Sequence, residues 1–445
     1  MLFSLYFMLK TVSSQLYQFC KKLIIHNRSL TGEGTKNTLY EIKKNLTKLK
    51  ITSVPTGFKA FDWVVPKEWN IKDAYILGPN GKKILDLKNN FLHVVGYSHS
   101  INAKISLVNL KKKIFSDPKK PNSIPYVTSY YKKDWGFCMT HNQKVKLKEG
   151  TYQVFIDSEL KNGVMNYGEI FIPGRSKKEI FLSTYICHPQ MANNEMSGIA
   201  VTTFILKYFK NLPKQKYSIR AVFVPETIGS IVYLKKNLKE LKEKVIAGFN
   251  ITCVGDERAY SYLPSRNGNT ISDIAAKHVL KWSKLKFTEY SWNERGSDER
   301  QYCSPGIDLP IASIMRSKYG EYPEYHTSDD NFEKVVTKNG LFGSYLLIIK
   351  AIEAIQNNCF PKSLMKCEPF LSKYNLYNPF NFKYGNSHKF RSSITDPLLN
   401  LLSHSDGKKS LIDISEKILV PVWELYDVVN LLRKKKIIKI FFDDN

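Results

Sequence analysis

The sequence predicts an α/β protein built on a mixed sheet flanked by helices, with a small β-rich insertion and a separate helical C-terminal segment. Three observations carry this. From Glu179 onward, apolar runs of strand length alternate with runs of helix length, the rhythm of a sheet that is in part parallel. Between Ile51 and about Gly174 the texture is instead short apolar stretches punctuated by turns such as Gly78-Pro79-Asn80-Gly81. That region is dense in aromatics (Trp63, Trp69, Tyr130, Tyr131, Trp135). Past residue 370 the alternation stops, and three short helical stretches end in one β-like run.

At 445 residues the chain is long enough for two or three domains. A hydrophobic share of 43% and an aromatic share of 13% supply packed cores and exclude a disordered chain. Lys+Arg outnumber Asp+Glu by 67 to 40, a net charge of +27. An anionic partner such as nucleic acid, phospholipid or a phosphorylated sugar is one reading of that excess. The lysines, however, lie in short clusters along the whole chain (Lys111 to Lys113, Lys119 to Lys120, Lys434 to Lys436), which favours a thinly spread basic surface. Seven scattered cysteines without a CxxC pair argue against a disulfide scaffold or a zinc ribbon and suit a reducing cytoplasm. The apolar run Met1 to Leu9 is too short to span a bilayer and lacks the flanks of a signal peptide. An amphipathic helix running on through Leu23 is expected there, with no membrane span.

The remaining elements follow in order. Residues 28–37 are polar and contain glycine, so they read as a loop, and helix resumes over Leu39 to Lys48. In the insertion, strands are expected at Val64 and Val65, Ala74 to Leu77, Ile84 to Leu87, Phe91 to Val95 and Tyr152 to Ile156. The α/β part offers strands at Glu179 to Ile186, Tyr217 to Val224, Val245 to Val254 and Pro310 to Met315. Helices follow them at Ser197 to Lys210, Gly229 to Lys244, Ile271 to Leu285 and Val336 to Gln356. Asn375 to Ser387 is loop-like. Helical stretches at Asp396 to Leu402, Leu411 to Leu419 and Val422 to Lys435, with a β-like Ile437 to Phe442, have the pattern of a winged helix, which often serves to bind proteins. The expected domains are 1–55 with 160–365, the insertion 56–159, and 370–445.

Chemistry gathers just past the apolar runs. The first is followed by Cys187-His188-Pro189 and Asn193-Asn194-Glu195, the second by Pro225-Glu226-Thr227, the third by Gly255-Asp256-Glu257, and the fourth by Tyr325-His326-Thr327. Parallel strands deliver such residues to one edge of a sheet, where α/β proteins bind ligands. Neutral imidazoles and carboxylates converging there are what a metal-assisted hydrolase needs, because they bind Zn²⁺ while a further carboxylate accepts a proton from water. Singly, each residue is as well explained by a satisfied strand-end side chain or a helix cap. Cys187 and Cys303 read as small core residues rather than nucleophiles.

The stretch STYICHPQMANNEMSG, with PETIGS, GDERAY, SDERQYCSPG and EYHTSDD, resembles a family of aminopeptidase-like proteins of unknown function encoded near bacterial surface-polysaccharide genes. That family is similar in turn to the co-catalytic zinc aminopeptidases. FDWVVPKEWNIKDAYI, LHVVGYS, IPYVTSYYKKDWGFC and GTYQVFIDSEL resemble its inserted β domain, and the C-terminal segment fits its winged helix. The resemblance implies a zinc-aminopeptidase-like mixed sheet and one or two zinc ions. It implies that His188 and His326 are the first and last metal-binding histidines. Asn194-Glu195 matches the place of a metal-bridging Asp, so either Glu195 substitutes or a single metal binds. An adjacent Glu-Glu pair is reduced to Glu226-Thr227, and counting back from Gly229 makes Glu226 the base. Asp256 lies about four residues beyond the third-strand Asp ligand and stands as a candidate ligand. Gln190 replaces the acid usually found two residues after the first histidine. Asp298, Glu299 and Arg300 are implied as substrate pocket.

The expected activity is hydrolysis of a peptide, an amide or an N-acylated amino sugar, connected with surface-polysaccharide biosynthesis. Two other classes stand beside it: a catalytically dead scaffold, favoured by Asn194 and Thr227, and a nucleic-acid-binding regulator. Against the last, the basic cluster Arg433 to Lys436 sits at a helix C-terminus, whereas base readout uses the N-terminal part, here Val422-Trp423-Glu424-Leu425. Nucleic acid is therefore not an expected partner; a protein bound by the winged helix, or a second copy of the chain, is compatible with the sequence.

Overall fold

Apolar runs with no polar alternation have to be covered on both faces, and four of them form the centre of an eight-stranded sheet. The structure, a computed structural model, describes residues 2–376 and 395–442. The strands of the large sheet are β1 (Lys50–Pro55), β2 (Val164–Ile172), β3 (Glu179–Tyr185), β4 (Ser218–Val224), β5 (Val245–Asn250), β6 (Ser261–Leu263), β7 (Thr288–Glu289) and β8 (Ile311–Met315). Their spatial order is β1-β2-β4-β3-β5-β8-β6-β7. The inner four, β4, β3, β5 and β8, are parallel; β1 and β2 pair antiparallel to their neighbours, and β6 is antiparallel to β8 but parallel to β7. Every residue of β3, β4 and β8 is buried. The chain moves from β3 to β4 on one side and then to β5 on the other. A crevice therefore opens outside the carboxyl end of β3, the switch point where such sheets take ligands.

The helix Ser197–Lys210 returns from β3, and its start lies against the ends of β3 and β5. A Cβ on Gly198 would stand 2.4 Å from the Ile251 carbonyl oxygen and 2.6 Å from Thr184 Oγ1, so only glycine admits that approach. The N-terminal helix Leu2–Lys22 reaches the same layer, with the Phe19 and Phe204 rings 6.2 Å apart. The next helix, Glu33–Asn45, begins within the stretch expected to be loop. Gly34 permits this: a Cβ there would lie 1.9 Å from the Asn27 carbonyl oxygen, a backbone approach that composition does not reveal.

The insertion forms a four-stranded antiparallel sheet in the order Lys83–Asp86, Glu68–Leu77, Thr151–Lys161, Ile101–Ser106. Its own core includes Ala74, Ile76, Leu85, Leu110, Tyr152, Val154 and Ile156. The strand expected over Phe91 to Val95 is instead a single 3₁₀ turn, Phe91–His93, whose N-terminus is capped by Asn90 accepting from Leu92 N. A side-chain cap here outcompetes extended pairing.

By contacts the chain divides into two units, residues 1–270 with 287–348, and 271–286 with 349–445. The second holds the helices Thr395–His404, Leu411–Lys417 and Val422–Lys434, and an antiparallel pair of Phe360–Ser363 with Ile438–Phe441. The helix Ile271–Trp282, counted above with the α/β part, packs in this unit. His278 makes the junction: its Nε2 accepts from Val422 N at 3.0 Å, so Nδ1 carries the hydrogen and donates to Glu416 at 2.6 Å. The loop expected over Asn375 to Ser387 lies, beyond Leu376, outside the described residues. Among the described residues no helix is long and apolar enough to cross a membrane.

Candidate metal centre

His188 is delivered by the loop after β3 and is 4% exposed. Its Nδ1 donates to Glu195 Oε2 at 2.7 Å, and the same oxygen accepts the backbone N–H groups of Cys187 and His188. The other oxygen, Oε1, accepts Arg28 Nε at 2.8 Å. Arg28, from the turn after the first helix, also donates to the carbonyls of His188 and Leu23 at 2.9 and 2.6 Å. Burial works against protonation of His188, but the Glu195 carboxylate outweighs it and lifts the pKa above the usual value. With Nδ1 committed, Nε2 is the nitrogen that faces the crevice, 3.5 Å from Glu226 Oε2.

Glu226 comes from the loop after β4. It precedes Thr227, whose φ of 65° and ψ of −76°, with Ile228 N donating to the Glu226 carbonyl at 2.8 Å, make a γ-turn of the strained kind. Asp298 holds that turn by accepting Thr227 N at 2.7 Å and Ser230 Oγ at 2.9 Å. Burial raises the pKa of Glu226, while His188 and Arg300 oppose the rise. Burial, and then Glu226, likewise push Asp298 up.

His326 closes the group from the loop beyond β8. Its ring stacks on Tyr325 at 3.9 Å and lies 5.3 Å from the His188 ring. Its Nε2 is buried without a hydrogen-bond partner, and burial with the neighbouring His188 lowers its pKa to about 3. The imidazole is therefore neutral with a lone pair to give. Asn194 lies in a turn of π-helix, Ala192–Met196. Its Nδ2 donates to Tyr185 Oη at 2.7 Å, and its Oδ1 is buried without a partner. Backbone strain gathers here: Gln190, Thr227, Cys253 and His326 are non-glycine residues with φ of 52° to 65° on the four loops that build the crevice. Such conformations cost roughly 1–3 kcal/mol each and persist where function requires them.

The insertion contributes a wall. Tyr126 lies 5.1 Å from the His188 ring and 5.3 Å from the His326 ring, and its hydroxyl is 2.8 Å from that of Tyr130. The segment is fixed to the His326 loop: Tyr126 N donates to the His326 carbonyl at 2.9 Å, Ser328 N to the Ile124 carbonyl at 2.9 Å, and Ser123 Oγ to Asp329 at 2.7 Å. Nothing in the spacing of the sequence marks Tyr126 or Arg28 as site residues, because each arrives from a distant element.

Residues 17–358 match the family described as a domain of unknown function, DUF4910, and residues 359–440 match a winged helix-turn-helix family. The chain belongs to the DUF4910 family. A Clostridium acetobutylicum protein, named as a candidate polysaccharide biosynthesis protein with an aminopeptidase-like domain, is 42% identical over 404 residues and 91% of each chain. The crystal structure of a candidate peptidase from Clostridium acetobutylicum superposes with a TM-score of 0.90 at 38% identity, over 98% of this chain and 99% of that one. The zinc aminopeptidase BSAP from Bacillus subtilis matches with a TM-score of 0.56 at 12% identity, over 76% of this chain and 94% of that one. This last likeness is one of fold.

Within the aminopeptidase-like frame, several carboxylates expected to face a ligand do not. Glu195 has both oxygens committed, to Arg28 and to the Cys187–His188 backbone and ring, so it orients His188 instead of binding metal. It supplies what Gln190 cannot, since Gln190 Oε1 accepts Phe91 N. The Asp256 carboxylate accepts Asn193 Nδ2, Arg258 N, Ser317 N and Ser317 Oγ at 2.9 to 3.1 Å, which fills its acceptor sites. Glu299, fully buried, accepts Gly296 N, Ser297 N, Tyr319 Oη and Asn250 Nδ2, so it is an anchor and not part of a substrate pocket. Cys187, His188 and Glu195 do bring potential ligand atoms within 4.8 Å of one another. That trio is unsuited to a metal: Glu195 is consumed, and burial holds the Cys187 thiol protonated. Cys303 Sγ donates to the Leu309 and Ile311 carbonyls in the core.

The remaining donors are His188 Nε2, His326 Nε2 and Asn194 Oδ1, with Glu226 beside them. Two imidazoles on one tetrahedral zinc, bound at about 2.0–2.1 Å, have ring centroids roughly 5 Å apart, close to the 5.3 Å found. This donor set fits one ion. The resemblance noted from the sequence implies a metal bridge at Asn194 and a further carboxylate at Thr227, and both residues are neutral here.

Proposed function

We propose that this protein is a single-metal hydrolase of the aminopeptidase type, acting on an amide or peptide bond. The observation that carries the reading is the pair of imidazoles, 5.3 Å apart, set beside a buried carboxylate. His188 and His326 would hold a zinc ion, with Asn194 Oδ1 as a neutral third donor. The ion, when bound, would polarise the substrate carbonyl and make water more acidic. Glu226 Oε2 is the base: it takes a proton from the attacking water and returns it to the leaving nitrogen. Its raised pKa suits both halves of that transfer near neutral pH. Glu195, paired with Arg28, fixes the tautomer and direction of the His188 ring. The name of the Clostridium relative supports a role in polysaccharide biosynthesis, so the amide of an N-acylated amino sugar stands with peptides as substrate. The winged-helix unit serves as a protein-interaction module in this reading.

The test is a hydrolysis screen of full-length protein, zinc-loaded or chelated, against aminoacyl amides, dipeptides and N-acetylated amino sugars. Turnover by the zinc-loaded protein, lost on chelation and restored with zinc, is expected for at least one class. No turnover by zinc-loaded protein across the panel, with zinc bound, would favour the scaffold reading instead.

A further inference from the structure

Arg300 is exposed at the mouth of the crevice and donates from Nη2 to Thr227 Oγ1 at 2.8 Å. Among the described residues it forms no ion pair with a carboxylate. Its position beside the site follows from that bond, because Thr227 directly succeeds Glu226. The tether is built rather than incidental. Thr227 is a β-branched residue at a φ of 65°, held there by Asp298 through the Thr227 N–H, and the carboxylate that holds it is completely buried. The Thr227 hydroxyl thus fixes a guanidinium, and a permanent cation occupies the mouth.

This cation decides what the crevice accepts. A guanidinium with most of its donors unspent is suited to a planar carboxylate, which it binds through two parallel hydrogen bonds. The free ammonium of an ordinary peptide N-terminus would be repelled. A second cation, Lys120, reaches the loop that carries His326, with Nζ 3.5 Å from the Tyr325 carbonyl. The partly exposed rings of Tyr126, Tyr130 and Tyr325 lie around the same opening, offering both apolar faces and hydroxyls.

We propose that Arg300, fixed by Thr227, determines specificity, and that the substrate carries a carboxylate close to the amide that is cleaved. The amide half rests on the hydrolase reading above; the carboxylate half is a binding property and stands apart from turnover. It is tested by calorimetry on full-length Glu226→Gln protein in zinc-containing buffer with two matched pairs of probes: N-acetylglucosaminuronate against N-acetylglucosamine, and N-acetylalanine against N-acetylalaninamide. At least one acidic probe is expected to bind roughly ten-fold more tightly than its neutral partner. Arg300→Gln should abolish the preference, Arg300→Lys should keep part of it, and the pair that responds identifies sugar or amino acid as the source of the carboxylate. Equal affinity within both pairs, no binding of either acidic probe at millimolar concentration, or a preference that survives Arg300→Gln would overturn the proposal. Failure of the hydrolase reading would look different: no turnover by the zinc-loaded wild type, with the carboxylate preference intact.

Discussion

Glu226→Gln is expected to lower turnover by about 10²–10⁴-fold while the protein keeps its metal. Gln has the same shape and can still hydrogen-bond near His188 Nε2, but its amide cannot accept a proton from water. The local fold should not respond, because Glu226 is tied down through its backbone, with Glu226 N against Cys187 Sγ at 3.2 Å and the γ-turn at Thr227 behind it. The measurement is the single-turnover rate on whichever substrate the screen identifies, paired with elemental analysis of the same sample. Loss of metal together with activity would make Glu226 a ligand and refute its assignment as base.

Arg28→Ala is expected to be the most damaging substitution for stability, at about 3–5 kcal/mol, because it removes the guanidinium paired with a buried carboxylate. The side chains of Arg28 and Glu195 are both fully buried. Without the guanidinium, Glu195 loses its permanently charged partner and the Leu23 carbonyl loses its side-chain donor. Lysine should rescue poorly, since a single ammonium cannot serve Glu195, the His188 carbonyl and the Leu23 carbonyl from one planar fork. Denaturant midpoints of the unit that contains the site give the readout. The decisive comparison is Arg28→Ala with Glu195→Gln: removing both charges should cost clearly less than Arg28→Ala alone. An equal cost would mean that the ion pair is not the source of the destabilisation.

The sequence carried the strand ends well. His188, Glu226 and His326 meet at one crevice because parallel strands deliver their loops to one edge, and that inference needs only the alternation of apolar runs. What it could not distinguish was a carboxylate that faces a ligand from one caged by donors. Glu195 is caged by Arg28, 167 residues away, and Asp256 by Ser317, 61 residues away. Such donors are invisible to spacing. Tyr126 was missed for a related reason: the insertion reads as a self-contained β domain, yet its segment at 123–130 is hydrogen-bonded onto the His326 loop. The departures at Asn194 and Thr227 were legible as missing charges, but the guanidinium that Thr227 holds became apparent only from the tertiary structure.

Zinc stoichiometry tests the central claim most directly. Full-length protein dialysed to equilibrium against zinc and then assayed by atomic emission should hold one ion per chain, and His188→Ala and His326→Ala should each abolish it while the chain stays folded. Two ions per chain, none, or full retention of the ion in either histidine variant would contradict a single-metal centre at these residues.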